Sequence, residues 1–152
     1  MSNEMSMDVL GETVIEVLQE AAFIFAEPLE ESVDDDSDKL IAKLGFTGPS
    51  SGEMFFCCSK SLATDFAANL LGIEPDDPEA ESRGGDALGE MLNIVGGALL
   101  ARWFGVSGNF EMGVPSVAEL DAGEVTGETT KASLLLPLIT DEGDRIDVGI
   151  LR

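Results

Sequence analysis

Between Asp86 and Leu99, apolar and polar side chains separate cleanly at helical spacing. At about 100° per residue, Leu88, Met91, Leu92, Val95 and Leu99 gather on one side of a helix, between about 140° and 240° from Asp86. Glu90 and Asn93 fall within roughly 40° of Asp86 on the other side. One face is built for a core, and the other carries two acids and an amide in a fixed row. A chain holding this helix needs a layered core to receive it.

The chain has 152 residues, enough for one domain with a real core and too few for two comfortable ones. A single domain over residues 1–152 is therefore expected. Thirty acidic residues against eight basic ones give a net charge of −22, yet 44% of the residues are hydrophobic. Disorder couples high charge to low hydrophobicity, and only half of that pairing is present. The chain reads as globular. The charge argues against nucleic acid or an anionic membrane as a partner. Acids concentrate at 27–38, 74–81, 119–128 and 141–147, among Gly, Pro and Ser, which reads as solvated loops.

Residue types that are missing narrow the chemistry further. There is no histidine and no tyrosine. Imidazole bases, Ser-His and Cys-His nucleophile pairs and histidine metal sites are thereby excluded. Asp34, Asp36 and Asp38 imitate the first ligands of a calcium loop. Lys39 and Gly45 then stand where that loop needs Gly and Glu, so calcium is rejected and no metal ligand is assigned. Cys57 and Cys58 adjoin in a strand-like segment, which points them to opposite faces as buried reduced thiols. No signal peptide opens the sequence and no apolar run reaches membrane-spanning length, which points to the cytoplasm.

Leu10, Val14, Val17, Leu18, Ala21 and Phe25 predict an amphipathic helix over about 7–25, ended by Pro28 and the acidic loop behind it. Two strands are predicted near 39–47 and 52–58, split by Thr47-Gly-Pro-Ser-Ser-Gly52. A helix over about 60–71, with Leu62, Ala63, Phe66, Ala67 and Leu70 inward, stops at Gly72. The long helix carrying the row is predicted from about 79 to 104, with Gly84 and Gly85 weakening its first turns. Strands near 109–118, 128–138 and 145–151 follow, the last two joined by Asp141-Glu-Gly-Asp144. The fold class expected is α+β, an antiparallel sheet packed with about three helices.

Polar helical faces are commonly just solvated. Two details favour function here. Asn is a mediocre helix former that a plain solvent face would replace by Lys, Glu or Gln. Gly97 lies about one turn beyond Asn93 on the same face, where missing bulk lets another surface approach. Asp86-x3-Glu90-x2-Asn93, followed by Pro115 in a β-like segment, resembles the signature of the CheC/CheX chemotaxis phosphatase family. Asp86-Ala-Leu-Gly-Glu-Met-Leu-Asn-Ile-Val-Gly-Gly97 is similar to the family's helix, and Glu111-Met-Gly-Val-Pro115-Ser-Val to its strand. The order of elements suits the CheX-like branch, with one motif per chain.

That resemblance implies hydrolysis of the phospho-aspartate of a CheY-type response regulator. Asn93 would orient the attacking water, as a positioning residue does in GTPases. Glu90 would accept a charge-assisted hydrogen bond from the regulator's active-site lysine. Asp86 and Gly97 would lie against the partner, and Pro115 would shape the strand beside the helix. The chain would need no cofactor of its own, since Mg²⁺ belongs to the regulator. A homodimer paired through sheet edges is the state the resemblance implies. The alternative is a non-catalytic adaptor that binds a receiver domain or flagellar-switch component, though an adaptor has no need of the Asn93 amide. A partner with an acidic active site would be repelled at long range by a chain of −22.

Overall fold

The computed structural model describes residues 5–30, 38–105 and 109–152. Among these residues seven antiparallel strands form one sheet: β1 (Ala26–Pro28), β2 (Lys39–Thr47), β3 (Gly52–Ser59), β4 (Glu111–Met112), β5 (Ser116–Leu120), β6 (Leu134–Thr140) and β7 (Arg145–Leu151). Their order across the sheet is β1-β6-β7-β3-β2, with β4 and β5 both paired to β2. Among the described residues five helices accompany it, against the three or so expected: α1 (Met7–Ala22), α2 (Lys60–Leu71), α3 (Pro78–Ser82), α4 (Gly84–Phe104) and α5 (Ala122–Thr130). The α+β antiparallel architecture is the one expected.

Strand alternation builds two cores of unequal size. On one face Ala42, Leu44, Phe46, Met54, Phe56, Cys58, Val148 and Ile150 meet the inner sides of α1, α2 and α4. Leu88, Met91, Leu92, Val95 and Leu99 are all 0% exposed there, so the predicted inner face of the long helix is correct residue by residue. On the opposite face Ile41, Phe55 and Cys57 form a small cluster under Val125 of α5 and Leu135 of β6. A Cβ at Gly149 would collide with the Phe55 ring, so glycine lets that ring lie across β7. The cysteines do point apart. Burial, followed by the neighbouring Asp147 carboxylate, pushes the Cys57 thiol up to about 12, and burial also raises Cys58.

Several boundaries differ from the sequence expectation. The first helix ends at Ala22 rather than near 25. Phe23 adopts φ 57°, its N–H donates to Gln19 O, and Ile24 N–H donates to Leu18 O, closing the last turn. Phe25 is consequently exposed, and Ala26–Pro28 pairs with β6 instead of opening a loop. Leu70 also lies at the surface of α2 rather than inside it. The helix predicted from 79 starts at Pro78 under an Asp77 cap on Glu79 N, and it breaks into α3 and α4 at Arg83, which leaves the helical region (φ −100°, ψ 5°) just before Gly84 and Gly85. Acids in the predicted loop at 119–128 instead start α5: Asp121 accepts from Glu124 N at 2.8 Å and Glu124 from Asp121 N at 3.1 Å. That capping box moves the following strand to Leu134. Asp34 and Asp36 lie outside the described residues.

The strand predicted over 109–118 is interrupted. Phe46 faces Met112, Gly113 N–H donates to Gly45 O at 2.8 Å, and Lys43 faces Ser116. Val114 and Pro115 therefore share Leu44 as their single opposite residue. One extra residue in the edge strand is a β-bulge. Pro115 has no N–H to offer the ladder, so it is accommodated there and not within a paired strand.

Candidate functional site

The polar row is set by α4, whose position is fixed at both ends. Gly84 packs on Ala63 of α2, with room for a Cβ only at 3.5 Å from its backbone and side chain. At the far end Arg102 donates to Thr13 Oγ1 at 2.9 Å and pairs with Glu16 at 2.6 Å, joining α4 to α1. Phe46 meets Trp103 edge-on at 5.7 Å, which holds the same end to the sheet. Between these anchors the outer side of α4 reaches solvent at Asp86 and Glu90.

Along that side Asp86 and Glu90 are exposed, and Asn93 is half-buried. Asp86 lies in the first turn of a helix whose N-terminus has no side-chain cap, where an acid is favoured by the helix dipole. Glu90 projects into solvent one residue after Gly89. A Cβ on Gly89 would sit 3.5 Å from Pro115 Cβ and 3.6 Å from Val117 Cγ2, and one on Gly85 would sit 3.6 Å from Val117 Cγ1. Gly85 and Gly89 lie to one side of the row at helical spacing, so the bulged edge strand flanks it closely. At Gly96 a Cβ would come to 2.9 Å from Leu44 Cδ2, closer than the packing permits. Gly97 is half-buried and would meet only Met112 Cε at 3.8 Å, so the fold itself tolerates a side chain there.

The structure thus brings Asp86, Glu90, Asn93, Gly97 and Pro115 onto one surface. Pro115 enters it from the bulge, between β4 and β5. Sequence reasoning missed the residue beside it: Val114 is 90% exposed at the tip of the bulge. Gly and Pro flanking Val114 in a strand pattern were the available signal.

The family model for the chemotaxis phosphatase CheX matches residues 40–138, a span containing the whole row, the bulge and Pro115. This chain belongs to the CheX family. Solved structures agree in fold. CheX of Desulfovibrio desulfuricans superposes with a TM-score of 0.67 at 21% identity, covering 94% of this chain and 97% of that one. Vibrio vulnificus CheX gives 0.67 at 20% identity, with 99% of each chain covered. Borrelia burgdorferi CheX, solved as a complex with CheY, BeF3 and Mg²⁺, gives 0.67 at 20% identity, over 96% of this chain and 97% of that one. None of the curated proteins matches this chain significantly. Among the described residues, no helix is long and apolar enough to cross a membrane.

Other polar features lie away from the row. A cleft of about 800 Å³ between α2, α3, the start of α4 and β5 is lined by Lys60, Asp65, Asp77, Glu81 and Glu119, and by none of Asp86, Glu90 or Asn93. Lys60 pairs with Glu119 at 2.9 Å, and that hydrogen bond raises the Lys60 pKa. Among the described residues, Asp65, Glu142 and Asp144 bring their carboxylates within 4.8 Å of one another. Burial raises the Asp65 pKa first, and the Asp144 and Glu142 charges raise it further.

Proposed function

We propose that this chain hydrolyses the phospho-aspartate of a CheY-type receiver domain. The observation that carries the reading is the placement of Asn93: a half-buried amide in an otherwise exposed acidic row, on a helix held rigidly at both ends. Family membership and the complex of the Borrelia burgdorferi relative with CheY support it. The row stands on an open helical surface, which suits a macromolecular substrate whose own pocket receives the helix.

In this reading the Asn93 side chain hydrogen-bonds one water and aims its lone pair at phosphorus, opposite the aspartyl oxygen. The new O–P bond forms as the P–O bond to the aspartate breaks, releasing inorganic phosphate and restoring the regulator's carboxylate. Glu90 accepts a hydrogen bond from the regulator's lysine and fixes the approach. Asp86 and Gly97 contact the partner, and Pro115 holds the edge strand against Gly89. Mg²⁺ is carried by the regulator and neutralises the phosphoryl oxygens. No step needs a titrating group on this chain, which accords with the absence of histidine. The reaction takes place in the cytoplasm, and the working unit is a homodimer. For that dimer the segment Leu134–Leu136 of β6 offers an edge, since among the described residues β1 pairs with Leu138–Thr140 of that strand and not with Leu134–Leu136.

The test charges a receiver domain with a small phosphodonor and follows phosphate release. Wild type is expected to accelerate release, and Asn93→Ala to lose about 100-fold of that acceleration. Equal rates for the two sink the catalytic assignment. Binding without acceleration establishes the adaptor reading instead.

A further inference from the structure

Resting on that phosphatase reading, we propose that the bulge in the edge strand supplies the apolar part of the receiver-docking surface, with Val114 as its contact and Val117 behind it. Val114 is 90% exposed and Val117 39% exposed, with Pro115 between them. These residues adjoin the polar row, because Pro115 and Val117 line the groove above Gly85 and Gly89, and Glu90 follows Gly89 directly. Any partner that seats its active site over Glu90 and Asn93 meets the bulge at the same time.

Electrostatics explains why an apolar contact is needed there. The exposed acids of the row and of the strand beside it are Asp86, Glu90 and Glu111, in a chain of net charge −22, while Arg83 at the start of α4 is engaged by Glu79. A receiver pocket that holds Mg²⁺ does so with oxygen ligands, chiefly carboxylates, so it is acidic too. Long-range attraction cannot bring two such surfaces together. Burial of apolar area is indifferent to charge sign and almost to salt, and it supplies affinity that the charges oppose. The bulge also makes this edge a poor template for pairing with another strand. That disfavours a second copy as the occupant of this part of the edge and leaves Val114 presented as a knob.

The test uses the full chain and a CheY-type receiver domain from the same organism, charged with acetyl phosphate and Mg²⁺. Val114→Asp is expected to raise KM about tenfold or more with kcat unchanged, and Val114→Ala to raise it severalfold. Added salt should lower KM for wild type, while the ratio of Val114→Ala to wild type stays constant. Because Val114 is 90% exposed, the thermal midpoints of both variants should match wild type. A KM within twofold of wild type for Val114→Asp overturns the inference. A change in sedimentation from dimer to monomer in Val114→Asp also overturns it, by assigning the knob to a second copy. Titration with receiver domain carrying BeF3⁻ separates the two readings. If wild type binds it but releases no phosphate, only the phosphatase reading fails. Equal binding by wild type and Val114→Asp defeats the docking surface whatever the turnover.

Discussion

Two acidic surfaces of this molecule invite the name of active site, and they are built in opposite ways. Asp65, Glu142 and Asp144 converge from α2 and the β6–β7 connection until their carboxylates lie within 4.8 Å of one another. Burial, and then the Asp144 and Glu142 charges, raise the Asp65 pKa. Asp86 and Glu90 instead stand one helical turn apart, each in solvent, with the Asn93 amide completing the row. The trio has charge density and no placed neutral group. The row has an amide, an anchored helix, a flanking proline and an apolar knob. Convergence of charge marks electrostatic frustration, whereas function is marked by several unlike groups placed on one rigid element.

Substitutions can break this comparison. The largest difference is expected at Asn93: Asn93→Ala should reduce accelerated phosphate release about 100-fold, while the triple change Asp65→Asn, Glu142→Gln, Asp144→Asn leaves it within about twofold. Loss of turnover in the triple variant would move the site to the trio. Next in size, Glu90→Ala should raise KM about tenfold and leave stability within about 0.5 kcal/mol, since its side chain is exposed. A fall in kcat alone would give Glu90 a chemical role in place of an anchoring one.

The smallest effect belongs to the trio and concerns stability. Asp65→Asn should stabilise the fold at neutral pH by roughly 0.5 kcal/mol, read from the urea midpoint, because it removes a partly buried charge that is also held against two others. The folded pKa of Asp65 is raised above its ordinary value of 3.8. Its proton therefore favours the folded state, fully below that ordinary value, and the benefit is lost as pH rises through the raised one. The advantage of Asp65→Asn should shrink as pH is lowered through this range. A constant advantage from pH 7 down to about 3 would show that the fold does not raise the Asp65 pKa.

A good deal of this was readable in the residues. The inner face of α4, the β2–β3 hairpin, α2 with its Gly72 stop and the Asp141–Asp144 turn all depend on periodicity or local turn chemistry, and all stand where expected. The polar row needed only the 3.6-residue repeat. Misread features were of two kinds. Acids around Asp121 resembled the solvated loops elsewhere, although Asp121-x-x-Glu124 is a helix start whose meaning depends on Val125 finding the Ile41–Phe55–Cys57 cluster. Phe25 fell on the helical repeat of α1, but the αL turn at Phe23 ended the helix before the repeat reached it.

By itself the sequence determined which groups exist and how they repeat along the chain: no imidazole, a surplus of acid, and an acid-acid-amide row opposite an apolar stripe. Those follow from composition and from helical geometry, which act within a few residues. Only the tertiary structure decided what stands beside the row. The extra residue opposite Leu44, the packing of Pro115 against Gly89 and the exposure of Val114 arise from pairing β2 with a strand some seventy positions away. Register across a sheet is fixed by the global burial of both strands' faces, and no local window contains that information.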